Sequence, residues 1–308
     1  MASNKRILKM MFQETNLLRP AKVLFLTLTV AFFAMYLAPV SLLQAGQSAS
    51  PWQTGFHHKV RLIAGSKDKL GDKDGHLIGV QIQLEKGWKT YWRFPGDAGV
   101  PPQFDWQESR NLKSTKIMYP APARFVDPYS TTIGYKDEIV FPVYLEAKET
   151  GKPVNVSVRM EFGVCQDVCF FAEAKMNLEV SNAGLPNARN DIVLKDYVSK
   201  VPKLISSSKT SDLSAKLIRV DLKGKDPYLL IEARYPETAE KKDLFVEGPR
   251  DFYMPLPKRL KPAAGNVVQY KVDLKDGDDP KQLSGKRLTY TLVSSEGQVE
   301  LSEVISVQ

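Results

Sequence analysis

Alternation of apolar and polar residues in short segments is the feature of this 308-residue chain that most limits its fold. The pattern occurs in LIGVQIQLEKGW (77–88), VNVSVRMEF (154–162) and KMNLEV (175–180). A period of two places alternate side chains on opposite faces of a strand, so each segment predicts a half-buried β-strand. Glycine, proline, asparagine and aspartate separate the segments, as is typical of turns. The sequence therefore predicts an all-β fold.

The composition changes at SNAGLPNARN (181–190), and the following DIVLKDYVSKVPKLI favours a helix. We expect Asn190 to cap this helix and Pro202 to end it. The residues expected to share one face are Ile192, Val193, Tyr197, Val198 and Val201. From about residue 210, β-type segments return at spacings typical of a second β-sandwich. These segments are AKLIRVDL, YLLIEARY, DLFVEG, VVQYKVDL, RLTYTLVSS and LSEVISV.

The first 50 residues have the order of an export segment. Five basic residues and a single acid precede the uncharged, mostly apolar run of residues 23–43, which is followed by small residues. This order is typical of a secretory signal. The run is 21 residues long, however, and about 20 apolar residues suffice to cross a bilayer as a helix. A cleaved signal and an uncleaved membrane anchor both remain open, and both predict that residue 51 onward lies outside the cytoplasm.

The net charge gives no support to nucleic-acid binding. The export segment carries +4 of the total of +8, so the rest of the chain is only mildly basic. It contains no block of lysine and arginine with interleaved aromatic residues, which a nucleic-acid surface would show. We therefore expect no nucleic-acid partner.

The two cysteines of the chain, Cys165 and Cys169, stand four positions apart. In a continuous strand their Cα atoms would lie about 13 Å apart, whereas a disulfide requires a separation below about 7 Å. Strand-like residues precede and follow the pair. We therefore predict a hairpin whose connection is residues 166–168, with the cysteines facing each other across its neck.

Three roles for the pair remain open from the residues alone. A structural disulfide suits an exported protein, although a ring of about five residues contributes only about 2 kcal/mol in the loop-entropy model. A redox couple suits two neighbouring thiols in an accessible loop. A metal site would need further ligands, and His57, His58 and His76 show no recognisable spacing.

The stretch GVCQDVCFFAEAKMNLEV (163–180) resembles the segment that carries the cysteine couple in the periplasmic N-terminal domain of the DsbD and ScsB thiol-disulfide reductases. Three further stretches resemble this family in the same order: GWKTYWRFPGDAGVPPQFDW (87–106), YPAPARF (119–125) and IGYKDEIVFPV (133–143). The resemblance covers about residues 52–182 well, and the later half is similar to the second sandwich of ScsB-like proteins. Members similar to ScsB usually have a proline soon after the second cysteine, where this chain has Phe170 and Phe171.

The resemblance implies an immunoglobulin-like β-sandwich in which Cys165 and Cys169 are the catalytic redox couple. No cofactor is needed. An aromatic loop that caps the disulfide in the family corresponds best to YWRFPGD, so the expected cap residues are Tyr91, Trp92 and Phe94. Electrons would come from a thioredoxin-like or membrane-embedded reductase partner in trans and pass to oxidised periplasmic proteins.

The expected organisation is therefore two immunoglobulin-like β-sandwich domains joined by a short helical linker, after an N-terminal export segment. The expected bounds are 1–50 for the signal or anchor, 51–182 for the first sandwich, 183–208 for the linker and 209–308 for the second sandwich. The alternative function is a non-enzymatic adaptor or copper-handling protein with a structural disulfide. The adjacent His57 and His58 are the residues that suggest copper.

Overall fold

The computed structural model describes residues 47–70, 73–181, 187–206, 212–260 and 266–306. The apolar run of residues 23–43 lies outside the described residues, and with it the choice between signal and anchor. In the described part of the chain, no helix has the length and apolar character needed to cross a membrane. Hydrogen bonds to the first sandwich already begin before residue 51, since Ser50 N donates to Leu62 O at 2.9 Å.

The described residues of the first half form two sheets that face each other, as predicted for a β-sandwich. One sheet has the strand order β1-β2-β3-β9-β6, and the other has β11-β10-β4-β8-β7 with β5 also paired to β10. The strands are β1 Gln53–Gly55, β2 His58–Leu70, β3 Lys73–Leu84, β4 Lys89–Gly96, β5 Gln103–Asp105, β6 Leu112–Ile117, β7 Ala123–Val126, β8 Thr131–Lys136, β9 Glu138–Ala147, β10 Val154–Cys165 and β11 Cys169–Val180.

The described part of the second half also forms two sheets, of order β12-β19-β18-β15 and β13-β14-β17-β16. A short 3₁₀ helix, Pro280–Leu283, precedes β18. The strands are β12 Lys203–Leu204, β13 Ser214–Asp221, β14 Tyr228–Arg234, β15 Asp243–Glu247, β16 Lys258–Arg259, β17 Val267–Asp273, β18 Arg287–Ser294 and β19 Gly297–Val304. The all-β architecture with two sandwiches is thus confirmed.

The predicted alternation is visible in the burial of the strands. From Ala172 to Val180, β11 buries every second side chain, because one face of this edge strand contacts the core and the other contacts solvent. By contrast, β9 is buried continuously from Ile139 to Leu145. This strand lies between β3 and β6, and a helix covers part of its outer face.

The helix α1, Ala188–Ser199, lies against the outer face of the five-stranded sheet. Its buried residue Leu194 packs against Ile63, Leu77 and Val140. The predicted face is partly wrong: Ile192 is 70% exposed, and the buried Leu194 was not foreseen.

The predicted cap of α1 is also wrong. Asn187 is the N-cap residue, and its side chain accepts hydrogen bonds from the backbone of Arg189 and Asn190. Asn190 lies inside the helix, and its amide donates to Ser48 O at 2.8 Å and to Ala64 O at 2.9 Å. Asn190 therefore anchors the helix to the first sandwich instead of capping it.

The two sandwiches contact each other directly. Phe245 from β15 belongs to the hydrophobic cluster of the first sandwich, where its ring lies 5.6 Å from the ring of Trp92. Beside this contact, Arg93 from β4 forms ion pairs with Glu247 and Glu300. A further ion pair joins Arg124 to Asp243 at 2.9 Å. Apolar and charged contacts together hold β4 and β7 against the second sandwich.

Candidate functional site

The predicted cysteine hairpin is present. Strands β10 and β11 pair in antiparallel register over their whole length, and the last pair of this ladder is Cys165 with Cys169. The two residues form a disulfide, with Cα atoms 4.1 Å apart. Residues 166–168 connect the strands, and Gln166 N donates to Val168 O at 3.3 Å. The disulfide thus closes the neck of a three-residue connection at one end of the sandwich.

The two sulfur-bearing residues differ in their access to solvent. Cys165 is fully buried, because β10 pairs with β4 on the side opposite to β11, with Cys165 facing Lys89. Cys169 begins the edge strand β11 and is exposed. A protein thiol that approaches from solvent therefore reaches Cys169 first.

Tyr91 on β4 contacts both sulfur atoms. Its hydroxyl donates a hydrogen bond to Cys165 Sγ at 2.7 Å and lies 3.2 Å from Cys169 Sγ. The side chain is only 2% exposed. Burial, followed by the negative charge of Asp127, raises the pKa of Tyr91 above its ordinary value. The phenol is therefore protonated at neutral pH and is available as a donor.

Two glycines hold the ring of Tyr91. A side chain at Gly99 would overlap the ring, and a Cβ atom at Gly163 would lie 2.7 Å from it. Gly99 also has a φ of +122°, a conformation that other residues rarely adopt. The two backbone segments are joined by a hydrogen bond of 3.0 Å from Gly163 N to Val100 O. The ring thus lies in a narrow slot that fixes the position of the hydroxyl.

Of the three residues expected to cap the disulfide, Tyr91 is the one whose side chain contacts it. Trp92 follows Tyr91 in the strand and points to the opposite face, where it is fully buried in the core beside Phe245. Phe94 packs against the cores of both sandwiches. The prediction that Trp92 and Phe94 cover the disulfide is therefore wrong.

Exposed apolar side chains flank Cys169 in the hairpin, and sequence reasoning did not identify them as part of the site. We call Phe56, Val168, Phe170 and Phe171 the apolar rim. Phe171 and Val168 are each 62% exposed, and the ring of Phe56 contacts that of Phe170 at 4.7 Å. The pair Phe170-Phe171 directly after Cys169 was a usable signal, whereas Phe56 is far away in the sequence.

Two acidic residues of the cysteine hairpin and the two histidines that suggest copper lie in separate surroundings. Asp167 is exposed, and Glu173 lies on the exposed face of β11. His57 stacks on Trp88 and pairs with Glu85, whereas His58 is buried beside Phe162. In the ranges that the structure describes, no group of three or more His, Cys, Asp or Glu side chains could hold a metal ion.

Fold and site together define a β-sandwich domain that presents a disulfide, with one buried and one exposed cysteine, at the end of a hairpin. Residues 59–181 match the family model described as "Thiol:disulfide interchange protein DsbD, N-terminal". These residues thus form a domain of the DsbD/ScsB N-terminal family.

A solved structure supports the fold over both sandwiches. The N-terminal periplasmic domain of ScsB from Proteus mirabilis is similar with a TM-score of 0.66 and 22% identity, over 85% of this chain and 99% of that chain. The adhesive subunit CfaE of the CFA/I fimbria of enterotoxigenic Escherichia coli reaches a TM-score of only 0.13 at 7% identity, over 86% of this chain and 85% of that one. That score is too low to support any argument. No curated protein sequence matches the chain.

Proposed function

We propose that this protein is a periplasmic thiol-disulfide exchange protein that relays electrons through the Cys165–Cys169 couple. The donor is a thioredoxin-like or membrane-embedded reductase in trans, and the acceptors are oxidised periplasmic proteins. The observation that carries the proposal is the disulfide itself, a small ring with one exposed sulfur in a domain of a thiol:disulfide interchange family. Such a ring adds little stability, about 2 kcal/mol in the loop-entropy model.

The difference in exposure supports an order of events. A thiolate of the reduced donor attacks Cys169 Sγ, a mixed disulfide forms, and the electron pair of the broken bond passes to Cys165 Sγ. The second thiol of the donor then attacks the donor's first sulfur in the mixed disulfide. The donor's own disulfide forms, and Cys169 is released as a thiolate. The donor dithiol is oxidised and the couple is reduced. With an oxidised acceptor the steps reverse, and Cys169 attacks.

The apolar rim supports a protein partner. Exposed large apolar side chains are typical of interaction sites, and here they flank Cys169, whose sulfur a partner must reach, along the hairpin. A thioredoxin-like donor would cover the rim while its thiolate attacks Cys169. The rim thus gives affinity for a protein donor and none for a small dithiol.

Redox equilibration tests the couple. We expect the full-length protein to equilibrate with glutathione and with a thioredoxin, as measured by the mass shift on alkylation of the reduced cysteines. A couple that stays oxidised far below about −300 mV is structural, and that result would refute the proposal.

Mixed-disulfide trapping tests the order of events. The Cys165→Ser variant keeps the exposed sulfur and is expected to accumulate a mixed disulfide with a partner, whereas Cys169→Ser is not. Equal trapping by both variants would contradict the assigned order.

Substitution in the apolar rim tests partner binding. Phe171→Asp is expected to lower kcat/KM for reduction by thioredoxin while leaving the rate with dithiothreitol unchanged. Leu204→Asp is the matched control, because Leu204 is exposed on β12 of the second sandwich. Equal effects of the two variants would argue against a docking surface.

A further inference from the structure

The contact between Tyr91 and the disulfide has a chemical consequence beyond covering the sulfur atoms. The hydroxyl lies closer to the buried Cys165 Sγ, at 2.7 Å, than to the exposed Cys169 Sγ, at 3.2 Å. A sulfur atom in a neutral disulfide is a weak acceptor. A thiolate carries a full charge and accepts a much stronger hydrogen bond. The interaction therefore gains strength only when the disulfide breaks.

The burial of Cys165 makes this donor important. When a partner thiolate attacks Cys169, negative charge develops on Cys165 Sγ, which is shielded from water. A buried charge without a partner is costly. A donor that already points at the atom where charge appears stabilises the transition state more than the ground state.

We propose that Tyr91 is a catalytic residue of this exchange, donating a hydrogen bond to Cys165 Sγ as that sulfur leaves as a thiolate. The inference rests on the proposed function and assigns the reaction's leaving group. The bond from the partner sulfur to Cys169 Sγ forms, the Cys165–Cys169 bond breaks, and its electron pair stays on Cys165 Sγ. The phenol keeps its proton throughout.

The slot around the ring supports this role. Gly163 and Gly99 hold the ring from both sides, so the hydroxyl does not have to reorient when the charge develops. Gly163 belongs to β10, the strand that also carries Cys165. The donor and the leaving sulfur are thus fixed to each other by the same pair of strands.

The test is the rate of reduction of the full-length protein by dithiothreitol, measured for the wild type and for Tyr91→Phe. A hydrogen bond to a charged group corresponds to about a tenfold or larger change in rate, so we expect Tyr91→Phe to be slower by at least about that factor. Tyr135→Phe is the matched control, because Tyr135 is also buried in this sandwich and donates to Pro120 O at 2.8 Å. The control is expected to react at the wild-type rate.

A second measurement separates catalysis from a structural effect. With Cys169→Ser in both backgrounds, so that Cys165 is the only thiol, the pH profile of the thiolate ultraviolet absorbance is expected to move towards alkaline pH in Tyr91→Phe, because the thiolate has lost its donor. The Tyr135→Phe control should not move it. Gly163→Ala, which keeps the hydroxyl but crowds the ring, is expected to slow reduction in the same direction and serves if Tyr91→Phe does not fold.

The outcomes distinguish this inference from the function on which it rests. Wild-type rates with dithiothreitol and an unchanged pH profile in Tyr91→Phe would overturn the role of Tyr91, even if the wild type exchanges with thioredoxin. A wild type that thioredoxin cannot reduce would overturn the proposed function, while the rate with dithiothreitol would still decide the role of Tyr91.

Discussion

The ion pairs of Arg93 provide the sharpest test of how the two sandwiches are joined. The guanidinium of Arg93 binds Glu247 through two nitrogens, at 2.9 Å and 2.6 Å, and also binds Glu300. All three side chains are at most 27% exposed. Burial disfavours the charged form of Arg93, but the bonds and charges of the two glutamates outweigh it and raise its pKa above the ordinary value. The guanidinium of Arg93 is therefore charged and paired with both glutamates.

We expect Arg93→Met to lower the free energy of unfolding by about 3 kcal/mol. Methionine retains much of the apolar volume of arginine, so the loss comes mainly from the two carboxylates left unpaired and facing each other. Removing one partner of a buried ion pair costs about 3–5 kcal/mol, and the lower end applies because these groups are partly exposed.

The tryptophans allow the assay to separate the two sandwiches. All four tryptophans of the chain precede residue 107, and among the described residues only Trp92 contacts a ring of the second sandwich, so their fluorescence reports mainly on the first sandwich, whereas far-ultraviolet circular dichroism reports on both. In urea we expect the two signals to coincide in the wild type and to separate in Arg93→Met, with the dichroism changing first.

Arg159→Met is the matched control, because Arg159 forms an exposed ion pair with Glu161 at 2.9 Å within the first sandwich. Exposed ion pairs contribute at most about 1 kcal/mol, and we expect no separation of the two signals. A loss below about 1 kcal/mol in Arg93→Met, with coincident transitions, would refute the reasoning that this arginine joins the sandwiches.

Two further predictions concern stability within the first sandwich. Leu194→Ala is expected to lower the free energy of unfolding in urea by about 3 kcal/mol, because the side chain is fully buried between helix and sheet. Ile192→Ala on the exposed face should lower it by less than about 0.5 kcal/mol. Equal losses would contradict the position of the helix. Burial, only partly offset by the hydrogen bond to Phe56 O, lowers the pKa of His58 below 6.5, so the unfolded state binds the proton more readily. The contribution of His58 to stability is complete above pH 6.5 and is lost as the pH falls below that value. A His58→Asn variant should lack this part of the pH dependence of stability. A pH profile identical to that of the wild type would contradict the prediction.

Local sequence patterns were sufficient to predict the strands and the hairpin. Alternation places side chains on two faces whatever the rest of the chain does, and the spacing of Cys165 and Cys169 allows few geometries other than a hairpin neck. The pairing of Cys165 with Cys169 at the end of β10 and β11 follows from these two constraints. Local patterns were therefore enough for elements whose residues lie close together in the sequence.

The same rules could not decide which of two equivalent residues faces the site. Alternation predicts that Tyr91 and Trp92 point in opposite directions, but it does not say which of them faces the sulfur atoms. In the helix, Asn187 and Asn190 are both suitable caps. The outcome depends on distant partners, since the amide of Asn190 is bound by the carbonyl of Ser48, 142 residues away.

Phe56 of the apolar rim was missed for the same reason. Phe56 and Phe170 are 114 positions apart in the sequence, and their contact arises because β1 lies near β11 in the folded sandwich. Partners of Arg93 in the second sandwich are even more distant, at 154 and 207 positions. Local sequence patterns hold no information on such pairs.

Strand β4 contacts both the disulfide and the second sandwich. The role of the second sandwich can therefore be tested separately from the chemistry at the disulfide. Three consecutive residues of β4 contact the disulfide, Phe245 and Glu247: these are Tyr91, Trp92 and Arg93. However, the ring of Tyr91 is held by Gly99 and Gly163, which both belong to the first sandwich. We therefore expect folded Arg93→Met to be reduced by dithiothreitol at the wild-type rate, within about twofold, despite its lower stability. A tenfold loss of rate in this variant would mean that the second sandwich positions the phenol, and the slot would then not be sufficient to fix it.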